Sequence, residues 1–159
     1  MVNSGAPDSL ALDGTGRRFG IVAARFHGAI VDRLLAGAEA ALRAHGVAPA
    51  DIRVVRVPGA WEIPAGLDAL ARSGEYSALI ALGVLIRGGT MHFEVIADQC
   101  SRGIAEVALR RELAVTFGVL TCETMEQAEA RAGGAEGNKG EEAALAALEM
   151  AILVARLRT

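Results

Sequence analysis

"YSALIALGVLIRGGTMHFEVI", residues 76–96, decides how the rest of the chain is read. Residues 76–86 are almost wholly apolar without a polar alternation, the pattern of a strand buried on both faces by covering helices. The run ends in Arg87, two glycines, Thr90 and His92, a set that neither a buried strand nor a surface helix requires. From Met91 onward, "MHFEVIADQCSRGIAEVALRREL" brings Ile96, Cys100, Ile104 and Val107 into helical phase. The stretch is therefore a buried strand, a glycine turn and an amphipathic helix.

Working outward, the same alternation recurs. Upstream, "RRFGIVAAR" is a short buried strand, and "HGAIVDRLLAGAEAALRAHG" sets Ile30, Leu34, Leu35, Ala38 and Leu42 on one helical face, with Gly46 as a stop. "DIRVVRVPG" is a strand closed by Pro58-Gly59, and "AWEIPAGLDALARSG" is a helix whose first turn tolerates Pro64. Downstream, "AVTFGVLT" is a strand, and "ETMEQAEARAG" and "NKGEEAALAALEMAILVARLRT" are helices split by the glycine-rich "GGAEG". Strands alternating with helices predict an α/β fold: a three-layer α/β/α sandwich around a four-stranded parallel sheet. Ligands in such folds bind at the carboxyl ends of the strands. Those ends are "RFHG", "VPGAWEIP", "LIRGGTMH" and "FGVLTCET". The opening "MVNSGAPDSLALDGTG", residues 1–16, has no sustained period and reads as a flexible tail unless a neighbour pins it. Residues 17–159 form the single domain.

Bulk composition narrows the class. A chain of 159 residues makes one domain with a proper core and is short for two. It is 52% hydrophobic with mean hydropathy +0.35, yet no apolar run approaches the roughly 20 residues that span a bilayer. The excess is covered most simply by another subunit, so a homo-oligomer is the default expectation. A net charge of −3 with dispersed arginines supplies no basic field for nucleic acid. Cys100 and Cys122 have neither metal-knuckle spacing nor the number of a disulfide framework, and no secretory signal is evident. A reducing cytoplasm is the expected location, with both cysteines as buried small hydrophobes.

The turn after the third strand is the leading chemical candidate. Glycines let backbone approach a ligand, and a helix N-terminus offers free N–H groups to an anion such as phosphate, which makes Gly89 and Thr90 a cradle. Gly-Gly also serves such a turn for geometry alone. His92 shifts the balance, because a histidine beside a phosphate turn can shuttle protons to the bound molecule. In "VPGAWEIP", Glu62 sits at a helix start, where capping competes with contact to a polyol, and Trp61, the only tryptophan, reads as packing. Phe26 can stack on a planar ring or join the core. In "RAGGAEGNKG", Arg131 suits bidentate phosphate contact. Lys139, the sole lysine, lies in a polar loop that favours a charged, electrostatic role over Schiff-base chemistry, and Asn138 suits a helix cap.

Together, "VPGAWEIP", "ALGVLIRGGTMHFEVI", "FGVLTCETMEQAEARAG" and "GNKGEEAALAALEM" closely resemble the lumazine synthase family, in this order and at these separations, from about Arg17 to the C-terminus. The resemblance implies a flavodoxin-like fold. It also implies a transferase of riboflavin biosynthesis that condenses 5-amino-6-(ribitylamino)uracil with 3,4-dihydroxy-2-butanone 4-phosphate to 6,7-dimethyl-8-ribityllumazine, phosphate and water, with no metal or organic cofactor. It further implies a pentamer with active sites between subunits, and riboflavin synthase as the protein partner it brings into view. Carried over, Phe26 stacks on the pyrimidine, Ala60, Trp61 and Glu62 line the ribityl chain, and Val84, Leu85 and Ile86 contact the rings. Gly89 and Thr90 hold the butanone phosphate, with Arg131 from the neighbouring subunit. His92 is the proton donor and acceptor, Phe117 from the neighbour reaches the pyrimidine through its backbone, and Lys139 lies near the reacting centre. His27 stands where asparagine is frequent and Trp61 where phenylalanine is usual. The short loop between Arg131 and Lys139 leaves shells built from pentamers open. Two other readings on the same scaffold are a non-catalytic flavin binder and a shell protein; the combination of Gly89, Thr90, His92 and Arg131 weighs against the binder.

Overall fold

In a computed structural model, which describes residues 11–159, four parallel strands form one sheet: β1 (Phe19–Ala24), β2 (Ile52–Val57), β3 (Ala78–Ile86) and β4 (Ala114–Cys122), in the order β2-β1-β3-β4. This is the beginning of the flavodoxin-like order. The helices are α1 (Gly28–Ala44), α2 (Ile63–Arg72), α3 (His92–Arg111), the short α4 (Met125–Ala130) and α5 (Lys139–Leu157). The chain leaves β1 in one direction along the sheet and returns past it in the other. Right-handed crossovers then require the helices to fall on opposite faces.

The period of two along each strand divides the core accordingly. Phe19, Ile21 and Ala23 of β1 and Ala78, Ile80, Leu82 and Val84 of β3 face one cluster with Leu34 and Leu42 of α1 and Leu148 of α5. Val22, Ala24, Leu79 and Ala81 face the other, with Leu67 of α2 and Ile104 of α3. The uninterrupted apolar run of β3 is thus explained by helices on both sides, as its composition predicts. Cys100 and Cys122 are free and buried; burial pushes the Cys100 thiol up to about 11.

The register positions the site. Phe19 pairs with both Ile52 and Ala78, and Ala78 pairs with Ala114, so the four strands start on one row. Ala23 pairs with Leu82, yet β3 runs on to Ile86, so Val84, Leu85 and Ile86 stand beyond the end of β1. At about 3.3 Å per residue this raises a wall about 10 Å high above the lower strands.

Two local features differ from the sequence reading. Ala60–Glu62 form a 3-10 turn before α2 rather than its first helical turn. The segment expected as the end of one helix and a glycine linker is a small antiparallel hairpin, β5 (Ala132–Gly134) and β6 (Gly137–Asn138). Gly133 at φ 95° and Gly137 at φ 83° supply the left-handed backbone that ends α4 and turns the chain. Most of the tail expected over residues 1–16 lies outside the described residues. Within the described part, buried Gly14 donates its N–H to the His45 carbonyl at 2.7 Å.

Two contacts brace the helices that carry the site. The α1 and α5 backbones meet at Gly140, where a β-carbon would lie 1.9 Å from the Leu34 carbonyl oxygen. Because that neighbour is backbone, Gly140→Ala is expected to cost about 1–3 kcal/mol, read as a lowered urea midpoint with an unchanged slope. On the other face, Arg111 of α3 donates to both Asp68 oxygens of α2 at 2.7 and 3.2 Å. The Arg111 hydrogen bond holds the Asp68 carboxyl below its usual 3.8. A depressed carboxyl stabilises the fold above its unfolded value and loses that contribution as pH falls through the folded one. Asp68→Asn is therefore expected to be less stable than the parent at pH 7, with the difference in thermal midpoint closing as pH drops below 3.8.

Candidate active site

Phe26 follows β1 at the level where that strand stops, and the overreaching end of β3 rises beside it. Between them lies a cavity of about 560 Å³ whose walls include Phe26, His27, Pro58, Gly59, Ala60, Trp61, Glu62, Val84, Leu85, Ile86, Gly88, Thr90, His92, Phe93 and Ile96. Ten sequence-predicted residues or their immediate turn are brought together here: Phe26, Ala60, Trp61, Glu62, Val84, Leu85, Ile86, Thr90 and His92 line the cavity, and Gly89 sits in the turn between Gly88 and Thr90.

Two aromatic side chains are more exposed than packing alone would leave them, Phe26 at 66% and Trp61 at 56%. Sequence reading offered core packing for both; the structure puts both on the cavity wall. Ala60 is buried beneath. Glu62 accepts the Gly59 N–H at 3.0 Å through one oxygen, so it caps its own turn, and its other oxygen is available to a polyol hydroxyl. His27 precedes α1 in left-handed backbone, φ 56° and ψ 45°, and sits edge-on to Phe26 with ring centroids 4.7 Å apart. For a residue with a β-carbon that conformation costs roughly 1–2 kcal/mol. The His27 carbonyl accepts the Ile30 and Val31 N–H groups, each at 3.1 Å, so the same strained residue on the cavity wall also starts α1.

The glycine turn opens directly onto α3. Gly88, Gly89, Thr90 and His92 are all exposed, and a β-carbon on either glycine would meet nothing within 4 Å. The space above the turn is therefore open to a ligand. Thr90 Oγ1 accepts the His92 N–H at 3.3 Å, which bends the turn so that the α3 N-terminus and the imidazole border the same cavity. The free N–H groups and partial positive charge of a helix start suit an anion at this place.

Three predicted residues are elsewhere. Phe117, Arg131 and Lys139 line a second cavity of about 360 Å³ at the far side of β4, with Thr121, Cys122 and Gln127 among its other walls, and none of the described residues lines both cavities. The hairpin builds this second site: Lys139 N–H donates to the Arg131 carbonyl at 2.9 Å, closing the loop so that the two cations flank one space. Asn138 fixes the start of α5 by accepting Gly140 N–H at 2.8 Å and Glu141 N–H at 3.1 Å, and donates to the Arg33 carbonyl on α1 at 3.1 Å. Arg131 is steered by donating to the Gln127 carbonyl at 3.0 Å, and Lys139 pairs with Glu142 at 3.3 Å. Burial pushes the Cys122 thiol up, with Arg131 opposing that shift. A shallower groove of about 420 Å³ between α3 and β4 touches Phe93, Phe117, Thr121 and Glu123.

Sequence reasoning passed over Phe93, Ile96 and Gln127. Ile96 lies one helical turn beyond His92, so the same helical phase that placed it toward the core also brings it to the cavity. Gln127 has no such signal; its place follows from the Thr124 cap, whose hydroxyl accepts the Gln127 N–H at 3.2 Å.

Comparison with known proteins follows the same segments. The family model described as 6,7-dimethyl-8-ribityllumazine synthase matches residues 16–155. A protein of that name from Aquifex aeolicus (strain VF5) is 53% identical over 147 residues, covering 92% of this chain and 96% of that one. Another, from Anaeromyxobacter sp. (strain Fw109-5), is 52% identical over 141 residues, covering 89% and 86%. Likeness of this extent takes in the wall of β3, the glycine turn and the hairpin alike, and the chain belongs to the 6,7-dimethyl-8-ribityllumazine synthase family.

Proposed function

We propose that the chain works as its family name states, as a transferase of riboflavin biosynthesis. It condenses 5-amino-6-(ribitylamino)uracil with 3,4-dihydroxy-2-butanone 4-phosphate to give 6,7-dimethyl-8-ribityllumazine, phosphate and water. The observation that carries this reading is the shared cavity of a histidine, an open anion turn and an exposed aromatic pair. Phe26 stacks on the pyrimidine, with Trp61 and Ala60 along the ribityl chain and Glu62 accepting one of its hydroxyls. Val84, Leu85 and Ile86 form the apolar wall behind the rings. Gly89 and Thr90 hold the butanone phosphate at the α3 N-terminus.

Each chemical step moves a proton. The uracil amine attacks the ketone and a first water leaves as the imine forms, the imine then loses phosphate, and a second amine closes the ring with loss of a second water. One imidazole at the cavity mouth serves several of these steps, which general acid–base assistance makes worth roughly 10²–10⁴ in rate. Holding two intrinsically reactive partners together supplies up to about 7–11 kcal/mol in favourable cases. His92→Ala is accordingly expected to slow turnover by no more than roughly 10⁴ while retaining measurable lumazine formation. Complete loss in a folded variant would contradict this division, as read by lumazine absorbance with both substrates present.

The active enzyme is a homo-oligomer, a pentamer or a multiple of pentamers, in the cytoplasm. Two features support a site shared between subunits. Phe117, Arg131 and Lys139 are separated from the first cavity within one chain, and Met91, Val95 and Phe117 are large apolar side chains left exposed around α3 and β4. The second cavity of one subunit completes the first cavity of its neighbour, with Arg131 reaching the phosphate, Lys139 beside the reacting centre and the Phe117 backbone meeting the pyrimidine. Arg131→Ala is expected to raise KM for the phosphate substrate roughly ten- to a hundredfold, with little change for the uracil. Co-assembled with His92→Ala, it should recover activity above that of either variant alone. Additive residual activities would place both residues in a site within one chain.

A further inference from the structure

We infer that Arg87, which lines neither cavity, is a positioning residue that holds the proton-transfer half and the anion half of the site in fixed relation. The inference rests on the functional reading above. Arg87 closes β3, and its N–H donates to the Cys122 carbonyl of β4 at 2.9 Å. Its guanidinium is held on three sides. It pairs with Glu94 in the first turn of α3, donates through Nε to Glu123 beyond β4 at 2.8 Å, and lies 4.7 Å from the centre of the Phe93 ring.

Each partner is next to a different part of the chemistry. Phe93 and Glu94 directly follow His92 on α3, so a shift of the guanidinium moves the helix start that carries the imidazole. Glu123 donates its N–H to the Gln127 side chain at 2.8 Å, and the Gln127 carbonyl accepts from Arg131 at 3.0 Å. Polar contacts, relayed through the side chains and backbones of Glu123 and Gln127, therefore link the His92 helix start by way of Arg87 to the arginine proposed to grip the neighbour's phosphate. An exposed ion pair adds little stability. Its effect here is geometric, because a planar guanidinium can meet two carboxylates and an aromatic face at fixed angles, where a lysine is a single point charge. In a ring of subunits each Arg87 is consequently linked, through its partners, to two active sites, its own and the one that its Arg131 completes.

The test is steady-state kinetics together with amide hydrogen exchange on the assembled protein and its Arg87→Ala, Arg87→Lys and Glu123→Gln variants. Arg87→Ala is expected to lower kcat and raise KM for the phosphate substrate together, each roughly tenfold or more, with Arg87→Lys between it and the parent. Glu123→Gln should raise that KM while sparing kcat. Amides of residues 88–92 and of residues 123–127 should both exchange faster in Arg87→Ala. An unchanged KM, or faster exchange in only one of the two segments, overturns the link. If the parent itself makes no lumazine, the functional reading fails, and the exchange result still decides whether Arg87 joins the two halves.

Discussion

Ala23 lies beside Leu82, and that pairing sets how far β3 overreaches β1. A slip of one residue would exchange the two faces of the strand, turning Leu79 toward the cluster of Phe19 and Leu34, and Ile80 toward that of Leu67 and Ile104. Large fully buried side chains occupy both clusters, so the register is fixed by apolar burial on either side of the sheet. The same pairing lifts Val84, Leu85 and Ile86 above Phe26 and makes the cavity wall. On the other side β3 and β4 stay level to their ends, Ile86 beside Cys122. Arg87 and Glu123, the next residues of each strand, are thus neighbours before any side chain is considered. The cavity and the ion pair above it both descend from one alignment.

Charge is arranged around this frame rather than within it. No polar or charged residue is buried among the described residues. The cations of the proposed site sit where backbone has already been fixed: Arg131 at the end of α4, Lys139 at the start of α5 behind an asparagine cap, Arg87 between two strand ends. That order of construction suits a reaction dominated by placement, since preorganised groups need not be rearranged as charge develops. It also explains why the hairpin is built from glycine. Two positive-φ residues bring Arg131 and Lys139 to one cavity with a turn too short for larger residues to make cheaply.

The sheet and its helices were legible because burial writes itself into composition. The apolar run of residues 76–86, the helical phase of Cys100, Ile104 and Val107, and Pro58-Gly59 after β2 all correspond to elements where one physical demand dominates. The hairpin was not legible: Ala132–Gly134 and Gly137–Asn138 offer no apolar alternation, and what shapes them is backbone hydrogen bonding that composition does not reveal. Phe26 and Trp61 were ambiguous for a related reason, since an aromatic at a strand end carries the same letter whether it packs or waits for a ring. The turn residues Gly89, Thr90 and His92 were readable as a group because each is poorly suited to the element it adjoins. Arg87, just ahead of that turn, carries no such signal, because its partners Glu94 and Glu123 come from different elements and meet only after the sheet has formed.

Separation of the two cavities has its own physical logic. A cavity deep enough to enclose two substrates within one chain of this size would have to be cut from the core, and the core here is divided into two thin layers by the sheet. In the proposed assembly, placing half of the walls on a neighbour would avoid that cost, since subunit contact can shield the site from water without removing packed side chains from either monomer. The exposed aromatics then have a reason to be exposed: Phe26 and Trp61 on one side and Phe117 on the other are apolar surface that the isolated chain leaves in water and that ligand and neighbour would cover together. On that view assembly and catalysis draw on the same buried area, so a chain that failed to find its neighbour would lose the chemistry before it lost the fold.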